Sequence, residues 1–271
     1  MTILKANSLK EAYKFRSYAK NINELNGRGD LTYLTDFIAA NIAKNLKIKF
    51  KDTIVDIGCG DCSFFRELSK IYSDISNCNL IGILPNHEEI INVQEHIKKN
   101  SLLNDLRIDL RVGNLEKLNF KEDSADLVVL NSVLHGVAKN LSEAIKIFLE
   151  IKFLLKNGGT LYLGEIPEID ELGSRNYDPD SIVGWLIWVF KNRGQKAFFK
   201  NLLKVTRCLF TKEPFIIEPK NRFFVKPNDL VKQMQYLGFK CIKKAPHQQI
   251  DQKGNISISK SRWNYLFKIF K

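Results

Sequence analysis

Residues 58–63 read Gly-Cys-Gly-Asp-Cys-Ser and follow directly on the β-branched run Thr53-Ile-Val-Asp-Ile57. Glycines let a backbone approach a ligand closely, and a helix that starts behind them turns its free N–H groups toward it. A strand, a glycine turn and a helix start therefore suit an anionic or carboxylate-bearing ligand. Ser63 stands where the dinucleotide fingerprint carries a third glycine or alanine, so the turn departs from that pattern. Cys59 and Cys62 form a lone C-x-x-C; no second cysteine pair and no nearby histidine completes a zinc set, and no metal is expected. A second group, Lys212, Lys220, Arg222 and Lys226 around Phe223 and Phe224, joins cations to aromatic rings and suits an anionic small molecule.

The elements that must position these residues follow from periodicity. Leu34, Phe37, Ile38, Ile42 and Leu46 recur at helical spacing, and a helix is predicted over 31–46. Short apolar runs predict strands at 53–57, 80–84, 107–112, 125–130 and 160–165, with helices at 64–72, 86–99 and 141–155 between them. The last of these helices is expected to stop at Asn157-Gly-Gly159. Strands alternating with helices imply βαβ units and a parallel sheet covered on both faces. Ligands bind such sheets at the carboxyl ends of strands where the chain order reverses. After Ile166 the alternation breaks for about sixty residues, too many for a loop in a compact domain. Two aromatic-rich helices are expected there, at 181–193 and 195–210, then a helix at 229–237 and strands at 239–244 and 256–267, the last two pairing antiparallel.

Five segments together carry a resemblance. Ile54-Val-Asp-Ile-Gly-Cys-Gly60, Ile81-Gly-Ile83, Gly113-Asn-Leu-Glu116, Asp123 to His135 and Leu155-Lys-Asn-Gly-Gly-Thr-Leu161 resemble, in order and spacing, the motifs of class I S-adenosylmethionine (SAM)-dependent methyltransferases, over roughly 53–165. The resemblance implies an α/β Rossmann-like fold, with a seven-stranded mostly parallel sheet and a helical cap inserted between strands 5 and 6. It divides the chain into an N-terminal helical segment (1–50) closing over the cofactor, a SAM-binding core (51–166 plus 227–271) and an aromatic, basic cap for substrate (167–226). SAM is the implied cofactor. Asp56 and the backbone of Gly58, Cys59 and Gly60 would hold its methionine end, Asn114 and Leu115 the adenine, and Asn131 the region of the transferred methyl; Arg28 could pair with the carboxylate. The family usually places an acid at the end of the second strand for the ribose hydroxyls, where this chain has Leu84. Asn86, Glu88 or a water is expected to substitute.

Methyl transfer from a sulfonium is an in-line displacement, so the protein must align the acceptor and, for a hydroxyl, remove a proton. His135 after the fourth strand, Glu165 ending the fifth and Tyr177 in the cap are the candidate bases. Trp185, Lys220, Arg222 and His247 are candidates for substrate binding, His247 only if the sixth strand runs parallel to the others. Residues 191–271 hold 19 basic and 4 acidic residues, a local net of +15 against +12 for the chain. The reading is a small-molecule methyltransferase acting on an anionic, phosphate- or sugar-bearing acceptor, most plausibly at oxygen. RNA or DNA methylation and a non-catalytic SAM-fold binding protein are the alternatives, and the aromatic cap could serve a homodimer. The sequence has no signal peptide and no apolar run of membrane-spanning length, so a cytoplasmic protein is expected. The aromatic tail from Trp263 to Lys271 is read as the end of the last strand rather than as a membrane anchor.

Overall fold

The computed structural model describes residues 3–5, 32–113, 120–138, 140–168, 181–211, 215–217 and 223–271. Chain order is β1 (Ile3–Lys5), α1 (Thr32–Asn45), β2 (Thr53–Ile57), α2 (Ser63–Ile71), β3 (Asn79–Leu84), α3 (His87–Lys99) and α4 (Ser101–Asn104). There follow β4 (Ile108–Val112), β5 (Ala125–Asn131), α5 (Leu134–Val137), α6 (Leu141–Leu154), β6 (Leu155–Pro167), α7 (Ile182–Thr211), β7 (Phe215–Ile217), α8 (Pro227–Tyr236), β8 (Phe239–Ile250) and β9 (Ile256–Ile269).

Seven strands form one sheet in the order β4-β3-β2-β5-β6-β9-β8. Every pair from β4 to β6 is parallel, while β9 runs antiparallel to both β6 and β8. Since β8 and β6 each oppose β9, β8 runs parallel to β6, the condition set for His247. Period-2 alternation sends strand side chains to opposite faces, and both faces are buried. Ile54, Leu80, Leu127 and Val129 meet α1, α2 and α3 through Ile38, Ile42, Phe65, Leu68 and Val93. On the other face Val55, Val128, Leu130 and Leu161 meet Ile147, Phe148 and Ile151 of α6 and Leu230 and Met234 of α8. Two helices start on the same device: Asn86 accepts from the Glu89 N–H (2.8 Å) and Asn140 from the Glu143 N–H (3.0 Å).

One expectation is corrected and two others hold. Helix α6 ends at Leu154, and Asn157-Gly-Gly159 instead forms an irregularity early in β6, where the pairing jumps from Ala125–Leu155 to Leu127–Thr160. Gly158 has φ 77°, the conformation a glycine tolerates. The expected break between two insertion helices is present: Gly194, at φ 77° and ψ 176°, is non-helical and divides α7 into two helical halves. The Trp263–Ile269 segment lies between β6 and β8 with Tyr265, Phe267 and Ile269 buried, as its reading as the end of the last strand expects. Among the described residues no helix is long and apolar enough to cross a membrane.

One pairing had no signal in the sequence: β1 and β7 form a two-stranded parallel sheet that ties residues 3–5 to the insertion. Phe148 fills the interface of α6 with the sheet, whereas Phe199 on α7 is exposed. Phe148→Ala is expected to lower the unfolding free energy by about 3–5 kcal/mol. Phe199→Ala should change it by less than ~0.5 kcal/mol; urea unfolding followed by circular dichroism measures both.

Candidate functional site

Chain order moves outward from β2 through β3 and β4, then jumps to the other side of β2 with β5. The carboxyl ends of β2 and β5 therefore flank a crevice that no crossover covers, the switch point of an open α/β sheet. The turn after β2 lies directly against the turn after β5: a Cβ on Gly58 would collide with the Val133 side chain. Gly58 (φ 77°), Gly60 (φ 54°) and Cys62 (φ 61°) are left-handed, which curls the chain tightly into α2. The Gly58 and Cys59 N–H groups both donate to the Ile83 carbonyl, at 2.9 and 3.3 Å. The Cys59 thiol points at Gly82, whose missing Cβ would stand 2.7 Å from Sγ, so Cys59 offers the crevice only its backbone. Hydrogen bonding to Cys62, 4.0 Å away, and burial both push that thiol up, keeping it protonated.

Asp56 closes β2 with a side chain almost fully buried. Burial and then the neighbouring Asp61 raise its carboxyl from 3.8 to about 7. Asp61, also buried, accepts from the Ser63 N–H at 3.0 Å. Two carboxylates walled from water at a glycine turn form a seat for a cationic group. Leu84, at the end of β3, is core: its side chain packs beside Ile54, Leu80 and Val93, and only its carbonyl reaches outward, to the Gly113 N–H (3.0 Å). Asn86 is engaged in capping α3, so of the two expected substitutes only the exposed Glu88 is left uncommitted there.

A second cluster gathers at the same rim. Glu165, 5% exposed, adopts φ 58° at the end of β6. Its N–H donates to Asn264 Oδ1 (2.9 Å), and its Oε1 accepts from Asn131 Nδ2 (3.2 Å). Its Oε2 lies 3.7 Å from Arg262 Nη1 and 3.9 Å from Nε2 of His247, which is 2% exposed. Register shifts flank both ends of this group, between Leu163 and Ile166 on β6 and between Pro246 and Gln248 on β8. Bulges of this kind turn a side chain off the regular alternation and re-aim it. Of the five non-glycine residues with positive φ among the described residues, Cys62, Ser132 and Glu165 sit at this rim, a concentration of strain typical of working sites. A cleft opens beside the cluster, walled by Tyr162, Lys243, His247 and Asn264 and by Ile38 and Asn41 of α1. Burial and the charge of Glu165 hold the Tyr162 phenol well above its ordinary range.

The structure thus joins Glu165, His247 and Asn131 in one network. His247 lies within β8, which continues to Ile250, rather than beyond the strand as its expected end at Lys244 implied. Arg262 and Asn264 were missed; antiparallel β9 carries its first half to the rim, and strand direction was the signal that could have placed them. His135 is buried in α5, its carbonyl accepting from the Phe223 N–H at 3.0 Å. Trp185 packs against Val205 and Cys208 within α7 instead of joining the rim. Phe223 is likewise core. Arg28, Asn114, Leu115, Tyr177, Lys220 and Arg222 lie outside the described residues.

Residues 55–163 match the family model for a methyltransferase domain. Among curated proteins no sequence matches this chain. A SAM-dependent methyltransferase from Methanosarcina mazei is 21% identical, with 84% of this chain and 97% of that one covered and a TM-score of 0.56. A chain of the Haloferax volcanii complex between the Trm112 methyltransferase activator and a putative methyltransferase is 14% identical, covering 95% and 96%, with a TM-score of 0.59. Phosphoethanolamine N-methyltransferase 1 of Haemonchus contortus, in complex with phosphoethanolamine and S-adenosylhomocysteine, is 15% identical; 97% of this chain aligns with 48% of that one at a TM-score of 0.59.

The buried Asp56 carboxyl holds its proton more tightly in the folded chain than in the unfolded one. Stability from this group is therefore full below 3.8 and is lost as pH rises toward about 7. Asp56→Asn should accordingly raise the thermal midpoint, with a gain that grows from pH 4 to pH 7 and then levels, reaching roughly 2–4 °C. Differential scanning calorimetry across that range checks it.

Proposed function

We propose that this chain, a class I SAM-dependent methyltransferase, methylates a hydroxyl of a small anionic acceptor. When bound, SAM supplies an activated methyl group. The buried carboxylates of Asp56 and Asp61 suit its cationic methionine end, and the Gly58–Gly60 backbone leaves room for close approach. Asn114 and Leu115 would meet the adenine, and Arg28 the carboxylate.

The observation that carries the acceptor reading is the Glu165–His247–Arg262 group at the carboxyl rim. His247 takes the proton from the acceptor oxygen, and Glu165 orients the imidazole and stabilises the imidazolium that forms. A carboxylate behind a histidine base acts this way in hydrolases as well. The 3.9 Å separation is of the loose kind that tightens when substrate is bound. Arg262, beside Glu165, and Lys243, in the cleft wall, supply positive charge for a phosphate or carboxylate on the acceptor. A phosphate-bearing small molecule in the structure of the Haemonchus contortus protein supports the same class of acceptor. The pairing of β1 with β7 ties residues 3–5 to the insertion, which supports a shared role for the two segments beside the site.

His247→Ala and Glu165→Gln should lower kcat by about 10²–10⁴-fold, with S-adenosylhomocysteine still bound in calorimetry. Arg262→Ala should act mainly on the acceptor KM. A library of phosphorylated and carboxylated alcohols with radiolabelled SAM reads these outcomes; wild-type rates for His247→Ala would overturn the assignment of the base. The Asp56 carboxyl adds a pH signature: cofactor affinity should fall as pH drops below about 7, by up to roughly tenfold per pH unit.

A further inference from the structure

The kinked helix α7 has two opposite faces. Ile182, Trp185 and Val189 on its first half and Val205 and Cys208 on its second turn inward, where Val205 and Cys208 pack with Ile182 and Trp185. The outward faces are also apolar. Val183, Ile187 and Phe190 recur at i, i+4 and i+7, and Phe199, Leu203 and Phe210 at i, i+4 and i+11, so each set is one exposed stripe. Val183 is 66%, Leu203 70% and Phe210 84% exposed. Phe190, Phe198 and Phe199 bridge the break at Gly194 through ring contacts at 5.6 and 5.4 Å.

Residues 181–211 hold six cations, Lys191, Arg193, Lys196, Lys200, Lys204 and Arg207, and no acid. Lys196, Lys200 and Arg207 lie within about 100° of Phe199 around the helix, along one edge of the Phe199–Leu203–Phe210 stripe. Apolar side chains edged by long cations are the composition of a helix that lies in a lipid interface, with its rings among the acyl chains and its charges at the headgroups.

We propose that the outer face of α7 docks this enzyme on the surface of an anionic phospholipid bilayer. A second copy of the chain fits this face badly. A two-fold contact of this helix with itself would bring cations near cations with no acid on the helix to compensate. Nucleic acid would satisfy the cations but leave Val183, Ile187 and Leu203 without apolar cover. The docking face does not depend on which acceptor atom is methylated.

Flotation of the full chain with vesicles tests this. Partition into phosphatidylcholine vesicles containing phosphatidylglycerol should exceed that into pure phosphatidylcholine at least tenfold, and should drop severalfold in 0.5 M NaCl. The double variant Leu203→Asp/Phe210→Asp should lose at least tenfold in partition. A second double variant, Lys196→Glu/Lys200→Glu, should lose the preference for the anionic lipid. Both should keep the thermal midpoint and the S-adenosylhomocysteine affinity of the parent, which separates loss of docking from loss of folding or of the cofactor site. Absence of partition into anionic vesicles, or partition untouched by both variants, would overturn the proposal. So would a dimer that Leu203→Asp/Phe210→Asp dissociates, or mixed RNA held as tightly as the vesicles.

Discussion

The turns after β2 and β5 can lie against each other only because residue 58 has no side chain, and much of the site depends on that approach. With Val133 filling the space a Cβ would take, the chain from Asp56 to Ser63 is drawn into a curl of left-handed residues. The curl holds two carboxylates in a dry crevice and aims the start of α2 at whatever occupies it. Any larger residue at 58 would have to push the two strand ends apart. The neighbouring rim, where Asn131 reaches Glu165, would move with them, because Ser132 donates to the Gly164 carbonyl at 3.1 Å.

The two charged groups at the crevice are built on opposite principles. Asp56 is held beside a like charge, and its folded form bears a cost that a cationic ligand would remove. Glu165 is surrounded by donors: its own N–H is fixed by Asn264, its carboxylate is shared among Asn131, Arg262 and His247, and its strained backbone is held by the strands on either side. A carboxylate tied on so many sides keeps its place. The first group is destabilised by its surroundings, and the second is fixed by them.

Most of the sheet was legible because each strand is a short apolar run ended by a turn, and all seven predicted strands are present. The glycine turn, Asn131 and Glu165 were legible for the same reason: they sit at strand ends, and a parallel sheet puts those ends on one rim. His247 depended on the direction of β8, which local periodicity does not encode; it follows from β9 lying between β6 and β8. Arg262 and Asn264 were hidden by that same reversal, since they precede the apolar part of β9 and read as a polar lead-in. Bulges were invisible as well, being fixed by pairing between strands far apart in the chain. At Leu84 the family pattern pointed to a ligand contact, but the residue type obeyed the simpler rule that leucine at a buried strand end packs the core.

Strand β9 is the last regular element and yet it is interior to the sheet, the sole link between β6 and β8. Until it is in place, β8 with α8 has no hydrogen-bonded connection to the strands that precede it, and Phe239 lacks the Phe267 ring it meets edge-on at 6.3 Å. Glu165, Arg262, Asn264 and His247 are brought side by side only by β9 lying between β6 and β8, so the cluster and the sheet's last pairing form as one unit.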